Sequence, residues 1–192
     1  MVTVTQPRRE FTAFIVGAMS ALGVTLSAAG VYAAEPAAMV LTSPAFVDGG
    51  EIPREFTCQG ADTPPPLNWA NLPTGTRSLM LVVDDPDAPD PAAPRVTWVH
   101  WLLYELPPAA TGLAGGAAPL PVGTQEGLND FERTAYGGPC PPIGRHRYFF
   151  KLYALDRSLS ELDGPDKAAL EAESQEHVLA KAQLIGTYQK QP

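Results

Sequence analysis

Three segments with the length and composition of β-strands lie in the middle of the chain. Residues 77–83 form a nearly continuous apolar run, which is typical of a strand buried on both faces. Residues 96–106 and 146–155 are rich in aromatic and β-branched residues. Because side chains alternate along a strand, each of the last two predicts one shared face. The first face consists of Val96, Trp98, His100, Leu102 and Tyr104, and the second of His146, Tyr148, Phe150 and Leu152.

The segments before, between and after these three strands have different patterns. Residues 67–69 predict a short strand, and four prolines in residues 86–95 predict an exposed, stiff loop. Residues 165–188 predict a helical segment, since Pro165 suits a first helical turn and an apolar stripe follows. The stripe consists of Leu170, Val178, Leu179, Ala182 and Ile185. The expected fold is one β-rich domain with a C-terminal helical segment packed on it.

The first 33 residues have the pattern of an export signal. Arg8 and Arg9 precede an almost uncharged stretch over residues 11–34, and small residues at Val31 and Ala33 suit a signal peptidase. We therefore predict a cleavable signal over 1–33, a single domain over 34–192, and a periplasmic or secreted protein. The paired arginines favour the twin-arginine route over the general route. A membrane anchor is the alternative, but the glycines in the stretch weaken it, and no stable insertion is expected after cleavage.

Charge and cysteine content narrow the function classes. The formal net charge is -8, which argues against non-specific binding to nucleic acid or to acidic membranes. The two cysteines, Cys58 and Cys140, would form one disulfide in an oxidising compartment. Two separate buried thiols are the alternative, and the sequence does not decide between them.

Four polar residues stand where core strands would not place them. Asp85 ends one strand, His100 interrupts an aromatic strand, and His146 opens another with Tyr148 on the same face. If these strands converge, imidazole and phenol donors could hold an oxyanion such as phosphate. Each residue alone has a plainer interpretation, as a hydrogen-bonded core histidine, a solvated loop carboxylate or a strand aromatic. Their spacing fits neither a calcium loop nor a zinc site, so no metal and no cofactor are expected.

Several ordered sequence blocks resemble the signature blocks of the phosphatidylethanolamine-binding family, in its bacterial Raf-kinase-inhibitor-like branch. The blocks with the most specific residues are Asp85–Pro89, Trp98–His100, Gly138–Pro142 and His146–Tyr148. Further similar blocks are Ser43–Phe46, Phe56–Cys58, Asn129–Phe131 and Gly186–Tyr188. The resemblance covers residues 41–188. It implies a fold of two packed sheets with a small pocket at one end.

By this resemblance, the pocket binds phosphate-like anions and phospholipid head groups. The positions that fall on the family's pocket are Asp85, His100, Cys140, Pro141, Pro142, His146 and Tyr148. Cys140 would offer its backbone amide. Glu132 stands where glycine is expected in close relatives, and its negative charge would weaken anion binding.

The sequence thus predicts a non-enzymatic binding protein for a small phosphorylated or anionic ligand. One alternative is an inhibitor of a partner protease or kinase that acts through the pocket rim, since the family includes such members. A hydrolase with His100 or His146 as base is a further alternative. It is disfavoured because the chain has no nucleophile elbow and no serine near the blocks that contain these histidines.

Overall fold

The computed structural model describes residues 37–191, and the predicted export signal over 1–33 lies outside this range. The strands are β1 (Val40–Thr42), β2 (Leu67–Ala70), β3 (Ser78–Asp85), β4 (Trp98–Leu106), β5 (Gly112–Leu113), β6 (Gln125–Glu126), β7 (Arg145–Leu155) and β8 (Val178–Gln189). The helical elements are α1 (Lys167–Ser174) and a short 3-10 helix over Arg54–Phe56. Within residues 37–191, no helix has both the length and the apolar character needed to cross a bilayer.

The strands form two antiparallel sheets, as predicted. The small sheet has the order β1-β2-β5, and the large sheet has the order β6-β4-β3-β7-β8. Apolar side chains from both sheets form one buried cluster that includes Leu41 and Trp69 from the small sheet and Leu81 and Phe150 from the large one. Burial of this shared face is the main force that holds the sheets together.

Strand β3 occupies the centre of the large sheet and is buried along all eight residues. Leu79, Leu81 and Val83 join the cluster between the sheets, whereas Met80 and Val82 belong to a second cluster on the other face. That second cluster includes Leu170 of α1, so the helix covers the outer face of the large sheet. The nearly continuous apolar run of the sequence is explained by these two buried faces.

The prediction of a helical segment over 165–188 is wrong for its second half. The helix ends at Ser174, and residues 178–189 form β8, which pairs with β7. The buried positions of β8 alternate as Ala182, Leu184, Gly186 and Tyr188, which is the period of a strand. This alternation is not evident in the sequence, because one of its buried positions is Gly186. A Cβ atom there would lie 2.4 Å from Ile52, so only glycine fits, and it adds no apolar signal.

The predicted shared face of β4 is also wrong, because β4 contains a bulge at His100. Val83 pairs with Trp101 but Asp84 pairs with Val99, which leaves His100 as an extra residue. Leu102 and Tyr104 therefore pack in the cluster under α1, while His100 contacts Tyr148 on the opposite face of the sheet. A bulge commonly re-aims a side chain in this way. The predicted shared face of β7 is confirmed, since its four residues alternate in burial as expected.

Candidate ligand-binding site

A cavity of about 240 Å³ opens at one end of the large sheet. The structure brings to this cavity all seven pocket residues that the sequence suggested, namely Asp85, His100, Cys140, Pro141, Pro142, His146 and Tyr148. Four further residues complete its lining: Ala88, Pro89, Trp98 and Phe131. The distant segments converge because β4, β3 and β7 are antiparallel neighbours. The end of β3 and the starts of β4 and β7 therefore meet at the same edge of the sheet.

Asp85 and His146 form a buried pair at the base of the cavity. Nδ1 of His146 lies 2.6 Å from Oδ2 of Asp85, and Nε2 lies 3.0 Å from the carbonyl oxygen of Ile143. A carbonyl oxygen only accepts, so Nε2 carries a proton and donates it. One proton is then shared between Nδ1 and the carboxylate, and the pair is neutral as a whole. Both ring nitrogens of His146 are thus engaged within the protein, and neither is free for a ligand.

His100 differs from His146 in having one free ring nitrogen. Its Nδ1 lies 2.6 Å from the carbonyl oxygen of Gly137 and therefore donates to it. Its Nε2 makes no hydrogen bond to any residue in the described range. Only 4% of His100 is exposed, and this burial lowers its pKa below the ordinary value despite the nearby carboxylates. His100 is then a neutral imidazole whose Nε2 presents a lone pair.

Tyr148, a second residue of the lining, also carries a polar group without a partner. Its hydroxyl oxygen is buried and has no hydrogen-bond partner among residues 37–191. Its ring is edge-on to His100, with centroids 5.2 Å apart, and is stacked with His146 at 6.4 Å. Burial raises the pKa of Tyr148 above its ordinary value, so the phenol keeps its proton and remains a donor. A buried hydroxyl without a partner costs about 1–3 kcal/mol, which makes it an unusual feature for structure alone.

Phe131 forms one wall of the cavity and is held there by Asn129. The Asn129 side-chain amide donates to the carbonyl oxygens of His100 and Ala135, and its oxygen accepts from the Phe131 amide. The Phe131 ring lies edge-on to both Trp98 and His100, at 5.5 and 5.4 Å. Glu132, the next residue, has a φ of 58°, which is the left-handed region that favours glycine. Its exposed side chain is not part of the cavity lining.

Another part of the cavity wall is the loop over Cys140, Pro141 and Pro142. Of these three residues only Cys140 has a backbone N–H, and this N–H makes no hydrogen bond to the protein within the described range. The structure joins Cys140 to Cys58 by a disulfide, with Cα atoms 5.5 Å apart. The Cys58 amide also donates to the Pro139 carbonyl. This wall is therefore fastened to the segment that follows the 3-10 helix.

The proline-rich loop over 86–95 is anchored at its start and exposed beyond it. The Asp87 amide donates to Oδ1 of Asp85, and the Asp87 carboxylate accepts two hydrogen bonds from the guanidinium of Arg147. These hydrogen bonds hold the pKa of Asp87 below its usual range. Residues 91–95 are exposed, as predicted, whereas Asp87 and Ala88 are buried. Arg147 is thus occupied by Asp87, although it is adjacent to His146.

Sequence reasoning missed the apolar walls of the cavity. Alternation along the strand predicts that Trp98 shares a face with His100. The other three residues, Ala88, Pro89 and Phe131, lie inside blocks that resemble the family. The signal was therefore present, but apolar residues do not stand out as ligand contacts. Among residues 37–191, no three His, Cys, Asp or Glu side chains are grouped so that they could hold a metal ion.

The amino-acid sequence is similar to a known family and to individual relatives. Residues 42–189 match the phosphatidylethanolamine-binding protein family. A UPF0098 protein of Methanothermobacter thermautotrophicus is 44% identical over 155 residues, which is 79% of this chain and 99% of the relative.

Two solved structures share the fold along their whole length. One is a phosphatidylethanolamine-binding protein homologue from Chlamydia trachomatis, 42% identical, with a TM-score of 0.74 over 80% of this chain and 99% of its own. The other is YbcL from E. coli, 30% identical, with a TM-score of 0.72 over 81% of this chain and 100% of its own. The chain therefore belongs to the phosphatidylethanolamine-binding protein family.

Proposed function

We propose that this protein reversibly binds a small oxyanion, of the phosphate or phospholipid head-group class, in the cavity at the end of the large sheet. The observation that carries the proposal is that Tyr148, a residue of the cavity lining, has a buried hydroxyl without a hydrogen-bond partner among residues 37–191. A ligand oxygen would accept from this hydroxyl and remove the cost of leaving it unsatisfied. Family membership supports a binding role of this kind.

The size of the cavity fits a small ligand rather than a whole lipid. Its volume of about 240 Å³ is below the range of roughly 300–1,000 Å³ that is usual for drug-sized ligands. A phosphate group with a short substituent would fill it. The Cys140 amide, next to the prolines of the wall, is a second donor that an oxyanion could accept from.

The histidine geometry supports binding rather than turnover. A hydrolase needs a histidine with a free ring nitrogen as general base, together with a nucleophile within its reach. His146 has the carboxylate, but its Nε2 is occupied by the Ile143 carbonyl. His100 has a free Nε2, but no serine, threonine or free cysteine is among the residues that line the cavity. Neither histidine combines both requirements, so we expect no hydrolase activity.

Export to the periplasm or the exterior belongs to the same proposal. The cavity wall depends on the Cys58–Cys140 disulfide, which persists in oxidising compartments. Fractionation of cells and intact-mass measurement of the native protein test this part. The expected mass is that of the chain after cleavage near Ala33, with no thiol available for alkylation. A full-length reduced protein in the cytoplasm would contradict it.

The proposed function is tested by isothermal titration of inorganic phosphate and phosphoethanolamine into the purified protein. Tyr148→Phe should lower the affinity at least about tenfold, since hydrogen bonds to charged groups contribute roughly 1.5–3 kcal/mol. Its stability should not fall, because the lost hydroxyl has no partner in the protein. The matched control is Tyr153→Phe on the same strand, outside the cavity lining, which should keep the affinity of the wild type.

Equal affinities of the wild type and Tyr148→Phe would refute the assignment of the cavity. An absence of binding by the wild type at about 10 mM phosphate would also refute it, because this concentration detects even a dissociation constant of a few mM. A loss of affinity in both tyrosine variants would point to a general disturbance of β7 rather than to a ligand contact.

A second candidate is inhibition of a partner protein through the cavity rim. Phe131 lines the cavity, and Ile143 directly follows Pro142 of the cavity wall. Both side chains are apolar, and they are 37% and 55% exposed. Co-purification from a periplasmic fraction tests this candidate. A partner protein that is retained by the wild type and lost in Ile143→Ser would support it. A partner that binds the variant equally would exclude this rim.

A further inference from the structure

The cavity contains no net positive charge to balance a dianion. The Asp85–His146 pair is neutral as a whole, since both nitrogens of His146 face acceptors. Arg147 is engaged by Asp87 and does not line the cavity. The remaining walls are mostly apolar, with Trp98 and Phe131 among them. The cost of burying an ion rises steeply with its charge, so such walls disfavour a doubly charged ligand much more than a singly charged one.

Two lining residues, His100 and Tyr148, each carry a polar atom without a partner among residues 37–191, and these atoms have opposite characters. The hydroxyl of Tyr148 is a donor without a partner, whereas Nε2 of His100 is an acceptor because Nδ1 holds the ring proton. The His100 and Tyr148 rings are in edge-on contact, and their centroids are 5.2 Å apart. One ligand group that offers both an oxygen acceptor and an acidic O–H would satisfy both atoms at once.

We infer that the cavity selects oxyanions that carry their own proton, namely monoprotonated phosphate monoesters or phosphonates, and that His100 sets this preference by accepting a hydrogen bond from the ligand's P–OH group. This inference rests on the proposed function and specifies its ligand. Sulfate has no proton to give at neutral pH, and a phosphate diester, as in an intact phospholipid, has no P–OH. Both should bind more weakly than a monoester.

Several titratable groups surround His100 and act on its charge. They are Asp84 and Asp85 on β3, His146 and Tyr148 on β7, and Asp130 in the loop that carries Phe131. The carboxylates favour a protonated His100, but burial opposes it more strongly and lowers its pKa. The imidazole therefore enters the complex neutral, and the proton that strengthens binding belongs to the ligand.

The test is the pH dependence of affinity for four probes with different proton chemistry: methyl phosphate, methylphosphonate, dimethyl phosphate and sulfate. The second pKa of a phosphate monoester is about 6, so methyl phosphate should bind roughly 20-fold more weakly at pH 7.5 than at pH 5.5. For methylphosphonate, which is more basic, the same loss should occur at a higher pH. Dimethyl phosphate and sulfate should bind at least tenfold more weakly than methyl phosphate at pH 5.5.

A shift of the midpoint with the basicity of the ligand is the decisive result. If all four probes instead lose affinity at one common pH, the proton is on His100 and the inference is overturned, although the proposed function stands. Sulfate or dimethyl phosphate binding as tightly as methyl phosphate would overturn it in the same way. No binding of any probe would overturn both the inference and the proposed function.

The variant His100→Gln gives a second readout that a purely structural role would not change. The glutamine amide can donate as well as accept, so the preference for methyl phosphate over sulfate at pH 5.5 should fall to below about threefold. The matched control His177→Gln changes a partly exposed histidine that is paired with Asp156 outside the cavity lining, and it should keep the full preference. An unchanged preference in His100→Gln would contradict the role of His100, and the four-probe series decides the question if this variant fails to fold.

Discussion

Asp84 and Asp85 are adjacent at the end of β3, and both are buried, yet they face opposite sides of the large sheet. Asp84 lies on the side covered by α1, where Nζ of Lys151 is 2.7 Å and Nζ of Lys167 is 2.9 Å from its carboxylate oxygens. Asp85 lies at the cavity, and its ionisable partner there is His146, at 2.6 Å.

The difference between the two sides separates structure from function. Around Asp84, two ammonium groups supply more than enough counter-charge, and the helix closes the site. Around Asp85, the charges just balance, and the hydroxyl of Tyr148, another residue of the cavity lining, has no partner among residues 37–191. Buried polar groups are normally satisfied within the protein, so those left unsatisfied at an open cavity indicate a place for a ligand.

The largest effect should come from opening the disulfide beside the cavity. The bridge links residues 82 positions apart, and a loop of this length contributes about 4–5 kcal/mol to the free energy of unfolding in the chain-entropy model. Replacing both Cys58 and Cys140 with serine should remove this amount and weaken phosphate binding, because Cys140 is part of the cavity wall. Urea unfolding and calorimetric titration measure the two effects. A double variant with unchanged stability would show that the bridge constrains nothing in the unfolded chain.

Asp84→Asn should lower stability by about 3 kcal/mol, since it leaves two ammonium groups without their buried counter-charge. Phosphate affinity should stay within about threefold of the wild type, because Asp84 is not in the cavity lining. Urea unfolding of the variant, with phosphate titration in parallel, tests both statements. A tenfold loss of affinity would mean that the two sides of the sheet are not independent.

Asp85→Asn is the matched change on the cavity side, and it should cost only about 1 kcal/mol. The asparagine amide can donate to Nδ1 of a neutral His146, so the pair stays neutral and hydrogen-bonded. The same urea measurement ranks the two variants. If Asp85→Asn is the more damaging one, the account of a charge-balanced pair at the cavity is wrong.

The smallest expected effect is a pH dependence of stability that comes from His100. Burial lowers the pKa of His100 in the folded state, and the unfolded value is about 6.5. Below about pH 6.5 the unfolded chain therefore binds a proton that the folded chain does not. Protonation of His100 leaves the free energy of unfolding unchanged above about pH 6.5 and lowers it as the pH falls below that value. Urea midpoints of the anion-free wild type should decrease more between pH 7 and 5 than those of His100→Gln. Parallel curves would exclude a neutral, buried His100.

Much of the fold could be predicted from the sequence, because three strands carry their own signal. The apolar run of β3 and the aromatic residues of β4 and β7 indicate buried strands without further context. Strand β8 could not be predicted in this way. The spacing of its apolar residues also fits a helix, and only pairing with β7 and the close approach of Ile52 to Gly186 decide the outcome.

The residues of the site could be predicted, but their roles could not. The blocks around Asp85, His100 and His146 place them by resemblance. The sequence does not show that a bulge turns His100 into the cavity, or that the Ile143 carbonyl occupies His146. Those facts depend on sheet register and on loop geometry, and they change the expected ligand from any anion to one that carries a proton.

The most direct test of the account is a crystal structure of the protein grown or soaked with arsenate near pH 5.5 and measured at the arsenic absorption edge. Arsenate is a phosphate analogue that carries As–OH groups near pH 5.5, and the anomalous signal of arsenic locates it without ambiguity. The expected result is one arsenic site in the cavity, with oxygens within about 3 Å of Nε2 of His100 and the hydroxyl of Tyr148. An empty cavity, with arsenic bound only to surface arginines, would contradict the account.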